Sequence, residues 1–364
     1  MLCRRSIDAS VLAGLLCCAA SGGPATDERS PSVQVLDERK LESLEQRLSA
    51  KGGGGFRFLG ALAGDAGLTR SNEIRVYLGR DGATDRLADY RVVSGPFSGA
   101  LERLVNRTAQ AGGFRVARDG VLRRAKPHPL GNPRTPAAET VALIMERDGS
   151  GPTYEYTLLT PGTPRQFTRE TEQRFRSGFI LRAVRAFDGG FTLAVMERPV
   201  VEQRHTPPAE GAPPQYIVID DRKREQMFDA VGKAAAAGYR VFATVHDGFA
   251  GGGSAVIMER ATVRGRPYSY FFLGSPSPSE LESRLTEGAA AGYRFIAGLA
   301  AQGELLMERA PFDEVDVDYL VVTAEAAALI EERLARAIAD GWSWAGLFGE
   351  AVVLARDRAT SGSR

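Results

Sequence analysis

Ala289-Ala290-Ala291-Gly292-Tyr293-Arg294-Phe295, followed by Leu306-Met307-Glu308-Arg309, is the stretch that decides the fold, because versions of it return along the chain. Upstream of Gly292, Leu281, Leu285 and Ala289 recur at helical spacing and predict an amphipathic helix with one buried stripe. Ser279 with Glu282 three residues later reads as the capping box that starts it. Gly292 stands where a helix ends in a residue that tolerates positive φ. Before the helix, Tyr268-Ser269-Tyr270-Phe271-Phe272-Leu273 has the period of two and the aromatic content of a strand. After it, Tyr293 to Ala297 and Glu304 to Arg309 predict two more. One unit is therefore strand, helix, strand, strand.

The helix exit recurs as Gly55-Phe56, Gly113-Phe114, Gly178-Phe179, Gly238-Tyr239 and Gly341-Trp342. The opening aromatic recurs as Tyr90, Tyr154 with Tyr156, Tyr216 and Tyr319, and Val33-Gln34-Val35-Leu36 lacks it. The closing strand recurs as Ile144-Met145-Glu146-Arg147, Val195-Met196-Glu197-Arg198 and Ile257-Met258-Glu259-Arg260, and ends as Val353-Leu354-Ala355-Arg356. Spacing of roughly fifty to sixty residues between closing strands is that of supersecondary units too small to bury a core alone. The expected fold class is α+β, a tandem array of about six βαββ units whose sheets carry helices on one face.

Residues 1–22 read as an export signal: Arg4 and Arg5, the apolar run Val11 to Ala20, then small residues. The run is too short to span a bilayer. Cys3, Cys17 and Cys18 all lie in this segment, so a mature chain would have no disulfide, thiol catalysis or cysteine metal site. A lipid anchor on Cys17 or Cys18 is the alternative, although neither has the usual small pair before it. Residues 23–31 read as a tether and 32–81 as the first unit, with Leu41, Leu44 and Leu48 inward. The second unit, 88–147, has Leu101, Leu104 and Val105 marking its helix and a Pro-rich insertion from Lys126 to Arg134. The third, 153–198, is held by Phe167, Thr171 and Phe175. A Pro-rich linker, 199–214, then divides three units from three. The remaining units are 215–260, with Met227, Phe228, Val231 and Ala235 inward, 267–309 and 317–356; 357–364 is a polar tail.

At 43% apolar, 25% charged and a formal charge of +1, the chain has material for a core and no broad attraction for nucleic acid or anionic lipid. His128 and His205 fall in Pro-rich linkers and His246 in a hairpin, without metal-ligand spacing. The run Gly52 to Gly55 follows a helix, so it reads as a C-cap and not as a phosphate cradle. Asp220-Asp221 and the alternating acids Asp313 to Asp318 lack the loop glycine of a calcium site and read as solubilising charge. No catalytic residue, metal site or cofactor is expected. If the units stack regularly, Arg147, Arg198, Arg260 and Arg309 would form a row for a polyanionic chain or a partner's acidic surface; the competing reading has each paired with an acid or lying along its neighbour's sheet. The expected partner class is a protein or a glycan.

A Tyr-led strand, a helix of Leu-Glu-x-x-Leu type, Gly with an aromatic, and a hydrophobic strand ending in Arg resemble a family of small bacterial domains of unknown function (domain of unknown function 4177). Its members occur as single βαββ units with Gly-Trp-Glu at the helix exit. Here only Gly341-Trp342 keeps the Trp and none keeps the Glu. The resemblance implies fold and no chemistry. The expected role is a non-catalytic binding or scaffold protein, exported to the periplasm or beyond, offering an extended surface. The alternatives are an enzyme or enzyme accessory with His246, Asp247 and His205 between two halves, and a structural protein that self-assembles through exposed strand edges.

Overall fold

The computed structural model describes residues 32–63, 74–80, 87–124, 140–147, 149, 151–187, 191–200, 212–220, 223–246, 248–249, 253–261, 267–273, 277, 279–299, 304–310, 316–323, 327–349 and 351–358. The export signal, the tether, the insertion from Lys126 to Arg134, His128 and His205 lie outside them.

Strand, helix, strand, strand occurs six times in succession. Unit 1 is β1 (Ser32–Glu38), α1 (Leu41–Gly52), β2 (Arg57–Ala63) and β3 (Ile74–Arg80). Unit 2 is β4 (Asp89–Pro96), α2 (Gly99–Gly112), β5 (Arg115–Arg124) and β6 (Thr140–Arg147). Unit 3 is β7 (Tyr154–Leu159), α3 (Pro164–Arg176), β8 (Ile180–Phe187) and β9 (Phe191–Pro199). Unit 4 is β10 (Tyr216–Ile219), α4 (Arg224–Ala236), β11 (Tyr239–His246) and β12 (Ser254–Arg260). Unit 5 is β13 (Ser269–Leu273), α5 (Leu281–Ala290), β14 (Arg294–Leu299) and β15 (Glu304–Arg309). Unit 6 is β16 (Val317–Val322), α6 (Ala327–Ala339), β17 (Ser343–Phe348) and β18 (Ala351–Asp357).

Each unit forms its own three-stranded antiparallel sheet with the closing strand in the middle, the opening strand on one edge and the strand after the helix on the other. The middle strand is covered on both faces, which is why it reads as a continuous apolar run and not as an alternation. In β6, Val141, Leu143 and Met145 enter a core with α2 and unit 3, while Ala142 and Ile144 enter a core with α1 and unit 1. Each sheet thus has its own helix on one face and the preceding unit on the other.

The units close on themselves. α1 lies on β4, α2 on β7, α3 on β10, α4 on β13 and α5 on β16, and α6 returns to β1. The post-helix strands follow the same order, β2 against β5 and so on to β14 against β17, with β17 against β2. These six inner strands face one another around the ring. A core at the closure joins Val33, Val35 and Tyr77 to Ile330, Leu334, Ala337, Val352 and Leu354. The expected division into three units and three is replaced by this ring: β10 packs under α3 as at the other joints, with Phe167, Phe179, Tyr216, Val245 and Ile257 in one core.

Two local readings change. No side chain caps α5; Ser277 and Glu280 close the turn before it, the Glu280 carboxylate accepting from both the Ser277 amide (3.0 Å) and its hydroxyl (2.8 Å). Glu282, expected to cap, accepts from the Val321 amide in the next unit instead (3.1 Å). Leu104 is 39% exposed; Leu101, Val105 and Ala109 form the inward stripe of α2.

Candidate functional site

The recurring residues meet at the joints. Every glycine at a helix exit has positive φ: 81° at Gly55, 67° at Gly113, 87° at Gly178, 91° at Gly238, 81° at Gly292 and 87° at Gly341. A non-glycine residue pays a steric cost there. The reversal delivers the following aromatic to one face of the ring, where the closing arginine of the same unit covers it. The guanidinium carbon lies 4.8 Å from the ring centroid for Arg147 on Phe114, 4.6 Å for Arg198 on Phe179, 5.1 Å for Arg309 on Tyr293 and 4.4 Å for Arg356 on Trp342.

These arginines have further partners inside their own units. Arg147 bonds Asp89 (2.8 Å) and the Gly112 carbonyl (3.3 Å), Arg198 bonds Glu155 and the Ser177 carbonyl, and Arg309 reaches the Ser269 hydroxyl (3.3 Å). Arg260 is exposed, with its main-chain amide bonded to the Gln215 carbonyl (2.8 Å). Arg147, Arg198 and Arg356 therefore hold helix C-termini, where a cation is favoured by the helix dipole, and these three with Arg309 cover aromatic exits.

A second recurring group crosses the joints. The opening tyrosine of one unit places its hydroxyl on an inner-strand amide of the preceding unit. Tyr90 accepts from Phe58 (2.8 Å), Tyr156 from Val116 (3.0 Å), Tyr216 from Leu181 (2.9 Å), Tyr270 from Val241 (2.9 Å) and Tyr319 from Phe295 (2.8 Å). At three of these joints the Glu of Met-Glu-Arg receives the tyrosine O–H and an arginine from the preceding unit. Glu146 takes Tyr90 and Arg57, Glu197 takes Tyr156 and Arg115, and Glu308 takes Tyr270 and Arg240. Burial pushes the Tyr90, Tyr156 and Tyr270 hydroxyls up, and the adjacent carboxylate pushes the same way.

The outer edge is closed from the other side. Glu45, Glu102, Glu282 and Glu331, each directly following a buried core residue of its helix, accept from the amides of Val92 (2.8 Å), Leu158 (2.8 Å), Val321 (3.1 Å) and Val35 (3.2 Å) in the next opening strand. These carboxylates and the joint tyrosines escaped notice as functional positions because their partners lie one unit away. The signal was present in the Leu-Glu pairs and the Arg after Gly-aromatic.

Three joints depart from the pattern. Between units 5 and 6, Ala355 stands opposite Tyr319 where a glutamate faces the other opening tyrosines. Between units 3 and 4, Ile180 stands where Arg57, Arg115 and Arg240 stand elsewhere. Glu259 is pushed up by burial, with Arg118 and Arg240 pulling it down and Glu308 pushing it up. At the closure, Val33, Gly79 and Ser343 replace tyrosine, glutamate and arginine. Apolar contact replaces the polar group there, with Tyr77 and Trp344 ring centroids 5.2 Å apart.

The other candidates are dispersed. Of the rival histidine group, Asp247 and His205 lie outside the described residues, and the His246 main chain pairs with Ser254. In the glycine run, the amides of Gly53, Gly54, Gly55 and Phe56 all donate to carbonyls of α1, which leaves none directed at an anion. Among the acids before β16, Asp316 and Asp318 pair with Arg358 at 3.4 and 2.6 Å. Among the described residues, no group of three or more His, Cys, Asp or Glu side chains could hold a metal ion, and no helix is long and apolar enough to cross a membrane. Comparison with family models, curated proteins and solved structures found no match for this chain.

Proposed function

We propose that the six units are copies of one βαββ repeat and that their ring is a non-catalytic scaffold or binding module, exported by its N-terminal segment. One observation carries the reading: the recurring ionisable side chains are spent on one another at the joints, in Tyr-Glu-Arg groups and Glu caps of strand edges. A reactive site needs a base, acid or nucleophile turned toward a substrate. Here the recurrent groups fasten units together.

Ring closure also changes the form of the surface. An open array would offer a long concave track, whereas a ring offers two faces and an inner edge. Self-assembly through terminal strand edges loses its support, because α6 covers β1 and the Glu331 carboxylate takes the Val35 amide. The test is a panel of ester, phosphoester, glycoside and peptide substrates with the full mature chain. The expected outcome is no turnover above buffer. Turnover that disappears in a His205→Ala, His246→Ala double variant would establish the enzyme reading instead.

A further inference from the structure

The exposed faces of the six helices do not share one balance of charge. α2 and α3 together hold six arginines and three glutamates. The three carboxylates are already engaged. Glu102 accepts from the Leu158 amide (2.8 Å), Glu172 from the Gln215 amide (2.9 Å) and Glu170 from the Gln166 side chain (2.8 Å). Arg103, Arg107, Arg165, Arg169 and Arg176 are all exposed. Arg169 lies 3.8 Å from Glu170 and Arg176 3.1 Å from Glu172, whereas among the described residues no acid pairs with Arg103, Arg107 or Arg165. The matching positions elsewhere lose or reverse the charge. Two residues beyond Leu101 and Phe167 stand Arg103 and Arg169; two beyond Leu44, Met227, Leu281 and Ile330 stand Gln46, Asp229, Ser283 and Glu332.

Arg165 is placed against the stability of its own helix. It occupies the first turn of α3, which has no acid, while α1, α2, α4 and α5 each have a glutamate there. The N-terminal end of a helix dipole favours anions and disfavours a cation. An unpaired guanidinium held there is relieved by an anion from outside. Residues four and eleven apart return to nearly the same side of a helix, so Arg165, Arg169 and Arg176 form a row about 16 Å long. Arg103 and Arg107 form a shorter one on α2. α2 is fastened along β7 by Glu102 and Asn106, and β7 leads into α3 through Thr160 to Thr163, so the two rows belong to adjoining units.

We propose that these rows bind a linear anionic polysaccharide, one with a carboxylate or sulfate at regular intervals along its chain. The proposal rests on the reading of the ring as an exported binding module. Guanidiniums match the oxygens of such groups, and a linear polymer meets a row of them without a closed cavity. Successive charges of a row stand about 6 Å apart, far coarser than the ~1.7 Å per charge of a DNA duplex. A single-stranded nucleic acid would call for aromatic platforms. α2 has no aromatic residue, and Phe167 and Phe175 of α3 pack on Phe249 and Tyr216. A membrane or a protein partner would call for an apolar centre. Leu104 is the exposed large apolar residue of the two helices.

Fluorescence anisotropy of the full mature chain with labelled oligosaccharides of heparin and of polygalacturonate, at about 50 mM salt, tests it. Neutral dextran, a DNA duplex and vesicles of anionic phospholipid serve as comparisons. Saturable binding to at least one of the two anionic polysaccharides, and none to dextran, is expected. Arg103→Gln, Arg165→Gln and Arg169→Gln should each lower the slope of log affinity against log salt by about one. The triple variant should weaken binding about tenfold or more. Arg284→Gln with Arg336→Gln, which removes arginines paired on α5 and α6, should leave it unchanged. Arg165→Gln should also raise the melting temperature, which separates its loss of binding from a loss of fold. No saturable binding to either polysaccharide, or an equal loss in the α5 and α6 variant, overturns the proposal. Tighter binding to the duplex or the vesicles, lost in the triple variant, overturns it in favour of that partner. The panel of hydrolysable substrates decides the non-catalytic reading separately, so the two failures are distinguishable.

Discussion

At Gly238 a Cβ would meet nothing within 4 Å, so only its φ of 91° demands glycine. Gly238→Val should cost about 1–2 kcal/mol through backbone strain alone. Gly292→Val should cost more, because its Cβ would also lie 3.4 Å from the Arg309 side chain. Gly232 is the contrast: it is exposed within α4, without positive φ, and has open space around it. Gly232→Ala should stabilise by about 0.5–1 kcal/mol. Urea melts of the three variants check both signs, and unchanged stability of Gly292→Val would count against the helix-exit assignment. At Glu259 the sign follows from its environment. Burial raises its folded pKa above 4.5, so its favourable contribution is present below that value and is lost as pH rises through the folded one. Glu259→Gln should therefore raise the melting temperature at neutral pH, with a gain that shrinks toward about pH 4. Glu197→Gln should lower stability by about 1.5–3 kcal/mol, since Arg115 loses a charged partner.

Helices and strands were legible because their periodicities are local. The stripe Leu281, Leu285 and Ala289 is buried as spaced, and the glycine exits mark the helix ends. The edges of the sheets were not legible. An inner strand bonds its closing strand along one side only, and its other amides need acceptors from elsewhere. At the joint between units 2 and 3 that acceptor is the Tyr156 hydroxyl, which also donates to Glu197. Tyr156→Phe strands the Val116 amide and should cost about 1–3 kcal/mol, read by thermal unfolding. The turn into α5 shows the same limit. Ser277 and Ser279 each precede a Glu by three residues, and only the backbone path of the turn selects Ser277 with Glu280 and frees Glu282 for the next unit.

For the whole molecule, closure makes the joint between the last and first units equivalent in role to the others. A circular permutant with its original ends joined and new ends opened between units 4 and 5, in 262–266, should keep its cooperative unfolding and nearly its melting temperature. Removal of 317–364 should instead uncover Val33, Val35 and Tyr77 together with the α5 face, and lower the melting temperature sharply or cause aggregation. Calorimetry and size-exclusion chromatography separate these outcomes. A permutant that loses far more stability than the truncation would mean that the ring is not closed by this joint.

The sequence by itself determined the unit: the order strand, helix, strand, strand, the six glycines and the inward stripes. Each rests on φ preference and hydrophobic period within a few residues. The tertiary structure decided how the units meet, because a joint is made by residues far apart in the chain and closure joins Val35 to Glu331. Of the arginines from which a binding row was read, Arg147, Arg198 and Arg309 brace their own units, and Arg260 is exposed. Arg118, unmarked in the sequence, was carried across the ring to unit 4 by the enlarged bulge of β5. Spacing along the chain fixes local geometry, while charge and hydrogen-bond partners are settled only when the units pack.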